Sequence, residues 1–448
     1  MLDLDATDSS YELPTERSQE MHVAKPSVED VTGPMAPADA MWLWFSAKFP
    51  TDQFIVFAFD GEPASVADAV ASTLDRARAI PYLTVRIRED KYGLRFPRWE
   101  HVGVTPDQCL VHELDAPAWT GCLDALATLA KQQLDPRVAA WRLHVFSPVL
   151  DVPRTDGPAT VVALQINHTL GDGTRTAVLA GALFGRDAMP APIEARPAGS
   201  LMRGVVATLR ARRARARDTA AGKVPAEKGP VPTLSVNGRP SGTRVFRTVV
   251  RNKSQLPGPT ATIGAMVAIS DALSGYLQDR GEDTSQLTAA VPVARSGVAQ
   301  SYNHLDLTWI GFHNDAASRD EQIRRIVGDL AAWRRRSQHP SFAVEAAASV
   351  AVPAPVRRIG ISLIKTDIQP ATVPAHTMVS SVNRGPADLT FGGRPVVLTT
   401  GFPALVPISS LAHGVHHIGD TVVVSVHAST PQVDVDDYLA RLDAALPQ

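Results

Sequence analysis

The chain has 448 residues, of which 44% are hydrophobic and 20% charged, with 44 Lys and Arg against 46 Asp and Glu. That near balance excludes the basic footprint of a nucleic-acid-binding protein, and the length calls for two domains or one large two-lobed unit. Cys109 and Cys122 cannot form a disulfide framework, no run of about 18 uncharged apolar residues spans a bilayer, and the N-terminus lacks the basic-then-apolar pattern of a secretory signal.

Residues 1–36 mix acids, Ser, Pro and Thr without periodicity and are expected to form a mobile tail. The folded part is expected to begin at Ala38, followed by a strand over Gln53–Phe59, a helix over Val66–Ala79 and a strand over Leu83–Ile87. Ala116–Leu134 has helical spacing. Ala139–Phe146 reads as a strand, and the polar stretch Asp151–Gly157 suits a hairpin connection into Thr160–Ile166. This last run is short, apolar and β-branched, as a buried strand requires. Gly171, Asp172 and Gly173 then supply turn chemistry, and Ala177–Leu183 resumes as a helix.

From Gly185 to Pro240 Pro, Ala and Arg dominate. Inside lies Ser200–Arg217, where Leu201, Val205, Val206 and Leu209 share a helical face and arginines follow without an acid between them. Such a segment suits a helix on an anionic membrane surface, or equally a solvated connector between lobes. Strands are expected over Val245–Val250, Leu287–Val293, Leu305–Phe312, His376–Val382, Pro395–Thr400, Leu405–Ile408 and Thr421–His427. Helices are expected over Ala261–Leu277, Asp320–Arg335, Phe342–Val350 and Val433–Leu446. The second half thus repeats the alternating strand-and-helix character of the first.

Chemistry concentrates at His168, where a buried strand runs into a glycine turn. His168 offers a base, Asp172 an acid at the fourth position after it, and Gly173 room for close backbone approach. Read alone, His168 also fits a core histidine satisfied by a carbonyl, and Asp172 fits a helix cap. The His413-Gly-Val-His416-His417 run lies between strands, with no Cys near, and metal is not expected there. No Walker loop, Rossmann fingerprint or Gly-x-Ser-x-Gly occurs. The stretch Ser380-Ser381-Val382-Asn383-Arg384-Gly385-Pro386 leaves an apolar strand and could offer donors to an oxyanion.

These separated pieces share an order with one family. The chain resembles the bacterial wax ester synthase/diacylglycerol acyltransferase family, in the superfamily of CoA-dependent acyltransferases and peptide-condensation domains. The family's His-His-x-x-x-Asp-Gly motif is similar to Asn167-His168-Thr169-Leu170-Gly171-Asp172-Gly173. Its Pro-Leu-Trp element is similar to Ala139-Ala140-Trp141, and its Leu-Asn-Gly-x-x-Ser-Gly-x-Arg stretch to Val236–Arg244. The block from Met378 to the last helix also follows the family order. Departures are Asn167 for the first histidine, Gly264-Ala265 for an Asn-Asp pair, the missing proline before Trp141, and Ser381-Val382-Asn383-Arg384-Gly385-Pro386 for Ser-Asn-x-x-Gly-Pro.

The resemblance implies an α/β (α+β) fold of two chloramphenicol-acetyltransferase-like lobes, with mixed sheets flanked by helices and a tunnel between them. The lobes would span 37–185 and 241–448, joined by a crossover linker over 186–240. It implies O-acyl transfer from acyl-CoA to a long-chain alcohol or diacylglycerol, giving wax ester or triacylglycerol. His168 would be the base and Asp172 would shape the motif by internal pairing. Asn167, Gly173, Ser381 and Asn383 would meet substrate, Gly173 by admitting the pantetheine arm. No metal or redox cofactor is needed, and acyl-CoA is a co-substrate. A cytoplasmic protein is expected, held near the inner membrane face or lipid droplets by residues 200–217. The departures motivate two alternatives, a catalytically silent lipid- or partner-binding protein on the same scaffold and a condensation-type enzyme using carrier-bound acyl groups.

Overall fold

The computed structural model describes residues 26–447. Residues 1–25 of the expected tail lie outside them. The remainder of that segment is built into the fold. Ser27 caps a single turn over Val28–Val31, Met35 N–H donates to the Pro97 carbonyl at 2.9 Å, and Val31 and Met35 are buried. Folded structure therefore starts ahead of residue 37.

Two six-stranded mixed sheets form the centre of the molecule, beside a three-stranded and a two-stranded sheet. The first holds β1 (Gln53–Asp60), β2 (Cys109–His112), β3 (Trp141–Val149) and β4 (Ala159–Ile166). The second holds β5 (Arg244–Asn252), β6 (Thr288–Ala294), β7 (Leu305–Gly311) and β8 (Thr377–Asn383). Next come β9 (Thr390–Phe391) and β10 (Arg394–Phe402), then β11 (Leu411–Ile418) and β12 (Thr421–Ser429). The first sheet runs β9-β10-β1-β4-β3-β2 and the second β7-β6-β8-β11-β12-β5. Strands β9 and β10 thus leave the second lobe and complete the first, Phe402 pairing with Phe54 and Thr400 with Val56. The lobe boundary expected at 241 is crossed by this exchange. Its physical reason is that β1 is apolar on both faces and would otherwise be a bare edge.

Strand β4 is buried at every position. Burial of each of its Val, Leu and Ile side chains stabilises by about 1.5–3 kcal/mol. Helices α1 (Pro37–Ser46), α2 (Val66–Arg78), α3 (Trp119–Leu129) and α4 (Gly173–Leu183) belong to the first lobe. Helix α5 (Leu201–Ala220) lies in the linker, and α6 (Ala261–Gln278), α7 (Arg319–Ser337), α8 (Pro340–Val350), α9 (Ala354–Ser362) and α10 (Val435–Ala445) follow. Side-chain caps start several of them, including Ser65 on α2, Thr260 on α6 and Ser318 on α7.

The strand expected over Leu405–Ile408 is a loop, and the strand lies instead at Leu411–Ile418, across the histidine run. His413 and His416 are buried, His417 is half-buried, and all three are neutral, so their polarity disguised the core strand. His413 Nδ1 meets Thr377 Oγ1 at 2.9 Å and its Nε2 meets Tyr438 Oη at 2.7 Å. Burial pushes His413 down to about 3. Alternation along β11 sends His413 and His417 to one face and His416 to the other, so the three do not converge. Helix α5 docks on α8, where Arg212 and Arg215 both pair with Glu345 and Arg215 lies over the Phe342 ring.

Candidate active site

His168 follows β4 in a short 3-10 turn and keeps part of its surface accessible. Its Nδ1 lies 2.7 Å from Asn303 Oδ1, and Asn303 Nδ2 donates to the His168 carbonyl at 2.8 Å. Asn303 Nδ2 also donates to Asp39 Oδ1 at 2.9 Å. Because that amide nitrogen already serves two acceptors, the amide oxygen must face the ring. The oxygen accepts the Nδ1 proton, which leaves the Nε2 lone pair free. Nε2 has no hydrogen-bond partner among the described residues.

Asp39, buried on α1, accepts from the backbone N–H groups of Tyr302 and Asn303 at 2.8 and 2.9 Å. Burial raises its carboxyl to about 6 against the pull of those donors. Folding therefore favours its protonated form, so this group's contribution to stability is full below 3.8 and lost as pH rises through about 6. Burial likewise holds the His168 imidazole below its ordinary value, opposed by the bond to Asn303 and by Asp172. The base is neutral at pH 7.

Trp42, one turn along α1 from Asp39, stacks on the imidazole with ring centroids 3.7 Å apart and planes 6° from parallel. An indole face stabilises a cation above it, so Trp42 favours the imidazolium that forms in turnover. It also closes that face of the ring, so the expected channel is not open there. Two surface cavities, of ≈ 620 Å³ beside Arg251 and Asp443 and of ≈ 550 Å³ beside Arg215 and Arg336, lie away from His168. A protonated imidazole quenches a stacked indole. Emission assigned to Trp42, taken as wild type minus Trp42→Phe, should fall on acidification with a midpoint below 6.5. A midpoint above that value contradicts the burial of the ring.

Asp172 caps α4, accepting from Arg175 N–H at 3.0 Å, while its second oxygen accepts from His304 N–H at 2.8 Å. It is thus a cap and a latch for the loop that carries Asn303. Arg175 does not pair with it, and its guanidinium lies over Tyr82 and Tyr302, 4.4 and 4.0 Å from their ring centres. Asn167 is turned inward and fully buried. It donates to Asp52 Oδ1 at 2.9 Å and accepts from Thr169 Oγ1 at 2.6 Å, and so offers no surface to a substrate. Asp52 is otherwise satisfied by Leu134 N–H and Gln165. Asn167→Leu should lower unfolding stability by about 1–3 kcal/mol, measured by denaturant titration, because it strips one donor from a buried carboxylate.

Gly173 is required by the second lobe. A Cβ there would stand 2.7 Å from Val382 Cγ2, so the space reserved for a pantetheine arm is filled by Val382. Ser381 and Asn383 are not brought to His168. Ser381 bonds Thr262 on α6 at 2.7 Å, and Asn383, exposed, accepts from Gly385 N–H at 2.8 Å. Strand alternation puts Val382 and Arg384 on the face toward the first lobe instead. Asp39, Trp42 and Asn303 were not found from sequence. The only signal for them is an acid and an indole at helical spacing in Ala38–Trp44.

No family model matches the chain, and no curated protein matches it. Solved structures do. The wax ester synthase/diacylglycerol acyltransferase from Marinobacter aquaeolei VT8 superposes with a TM-score of 0.61 at 14% identity, covering 92% of this chain and 98% of that one. The first condensation domain of the calcium-dependent antibiotic synthetase, bound to a substrate analogue, gives 0.53 at 15% identity over 93% and 94%. The starter condensation domain of rhizomide synthetase in complex with C8-CoA gives 0.50 at 15% identity over 95% and 98%. The chain therefore has the two-lobed mixed α/β fold of the chloramphenicol-acetyltransferase-like acyltransferases and condensation domains.

Proposed function

We propose that the protein is an acyl-CoA-dependent O-acyltransferase, moving a fatty acyl group to the hydroxyl of a long-chain alcohol or diacylglycerol. One observation carries this reading. Asn303 pins His168 Nδ1–H and leaves Nε2 free as a base. A hydroxyl within reach of Nε2 would lose its proton as its oxygen attacks the thioester carbonyl, a contribution of about 10²–10⁴-fold. The imidazolium then gives that proton to the departing thiolate. Asn303 holds the tautomer, Asp39 orients Asn303, and Asp172 fixes both sides of the motif. A substrate reaching the covered face has to displace Trp42.

Contact with a lipid surface is supported by α5 and α9. Leu201, Met202, Val205, Val206 and Leu209 are exposed along one, and Val356 and Ile359 on the other. Arg210, Arg213 and Arg217 remain exposed on α5 beside the pairs to Glu345. Such a stripe with a basic flank suits an anionic bilayer. The test is thiol release from labelled acyl-CoA with and without alcohols or diacylglycerol. Acceptor-dependent release with ester formation is the expected result. Acyl-CoA binding without release across a fair range of acceptors favours the silent scaffold, a reading that the covered imidazole motivates. Release only with a carrier-bound acyl group favours the condensation-type enzyme.

A further inference from the structure

Arg384 follows β8 at the seam between the lobes and is only 4% exposed. Its Nε and Nη1 are buried and have no hydrogen-bond partner. The backbone is not the reason it is there, since its N–H and carbonyl are met by the His417 carbonyl and by Arg186. His416, paired with Val382 across the β8–β11 ladder and also 4% exposed, faces the same side. Its Nδ1 is buried without a partner. The His416 ring lies against Gly401 of the crossover strand β10, 3.0 Å from where a Cβ there would stand. Val382, two residues before Arg384 and directly opposite His416 in the ladder, abuts Gly173 beside Asp172.

A guanidinium whose Nε and Nη1 are shut away from water without partners is destabilising, as is any uncompensated buried charge. Burial pushes Arg384 down to about 9, so the cation persists at neutral pH. Neither Asp nor Glu pairs with it among the described residues. The planar fork matches a carboxylate or phosphate in two parallel bonds, and a neutral His416 can donate a third.

We infer that Arg384 and His416 form an oxyanion-binding site at the lobe seam, next to the His168 motif, for a carboxylate or phosphate group carried by one of the substrates. That the group belongs to a substrate rests on the proposed acyl transfer, but the anion site itself does not, so its test uses no turnover.

The full chain is melted at constant ionic strength with inorganic phosphate, 3-hydroxybutyrate, CoA or dephospho-CoA, and affinities are taken from the dependence of the midpoint on anion concentration. The wild-type midpoint should rise with at least one of them. Arg384→Met should weaken that anion at least about tenfold. In anion-free buffer it should melt at or above the wild type, since a buried unpaired charge is gone. Arg384→Lys, which keeps the charge and loses the fork, should show an intermediate response and covers the case in which the methionine variant does not fold. His168→Ala should keep the full response, which separates this site from the base. A response to CoA and not dephospho-CoA assigns the oxyanion to the donor's 3′-phosphate, and a response to 3-hydroxybutyrate assigns it to an acidic acceptor. Both support the site. A midpoint unmoved by every anion overturns it, as does an equal phosphate response in Arg384→Met, the mark of an adventitious ion only.

Discussion

Replacing His168 with Ala should remove acyl transfer, lowering kcat/KM by at least about 10²–10⁴-fold while the fold persists. The side chain is partly accessible and its loss leaves β4 and α4 intact, so the far-ultraviolet spectrum should match the wild type. Thiol release and ester formation should vanish together, because one imidazole serves both the arriving hydroxyl and the leaving sulfur. The pH profile of the unaltered protein is part of the same expectation. Burial lowers the His168 pKa, so activity should be flat above pH 7 and lost as pH falls through a value below 6.5. Protonation of Asp39, raised to about 6, weakens the acceptor behind Asn303 and steepens that loss. Undiminished ester formation by His168→Ala would end the proposed mechanism.

The second large effect belongs to Asn303. Asn303→Leu removes the acceptor of the Nδ1 proton, 2.7 Å away, and the donor to Asp39. The imidazole is then free to turn and to take the other tautomer, whose Nε2 carries a proton and cannot act as a base. A wrongly held tautomer costs up to about 10⁴-fold in a related arrangement, and a drop of about 10²–10⁴ in kcat is expected here. KM should change little, because Asn303 is not placed to touch substrate. Asn303→Asp separates orientation from shape. It keeps an acceptor at Nδ1, its second oxygen shares one proton with Asp39, and the remaining charge raises the imidazole, so it should retain more activity than the leucine variant. Its acid limb should move to higher pH. Equal activity of Asn303→Leu and wild type would show that the ring needs no orienting partner.

Much of this was legible in the chain, and the pattern of successes is physical. Thr160–Ile166 announces a buried strand because every side chain but Gln165 is apolar or β-branched, and His168, Asp172 and Gly173 lie close enough to be read as one motif. Asn303 is 135 residues from His168, and its loop Ser301-Tyr302-Asn303-His304 has no periodicity to mark it. Asp39 and Trp42 sit in a helix whose apolar content advertises packing and says nothing about the ring it covers. Ser381 and Asn383 show a different limit. Composition identified the right strand, but a one-residue choice of face decides which side chains meet the first lobe, and that choice is set by Val379 in the second-lobe core and by the bond from Ser381 to Thr262 of α6. His413 and His416 concealed a core strand because burial had already neutralised them.

The exchange of β10 into the first sheet bears on how the chain can be made. A ribosome releases β1, β3 and β4 long before Arg394–Phe402 exists, so the first sheet waits with an unpaired edge on β1 until β10 has emerged. Neither half is a portable module, and severing the chain within the linker would yield two fragments that need each other to finish folding.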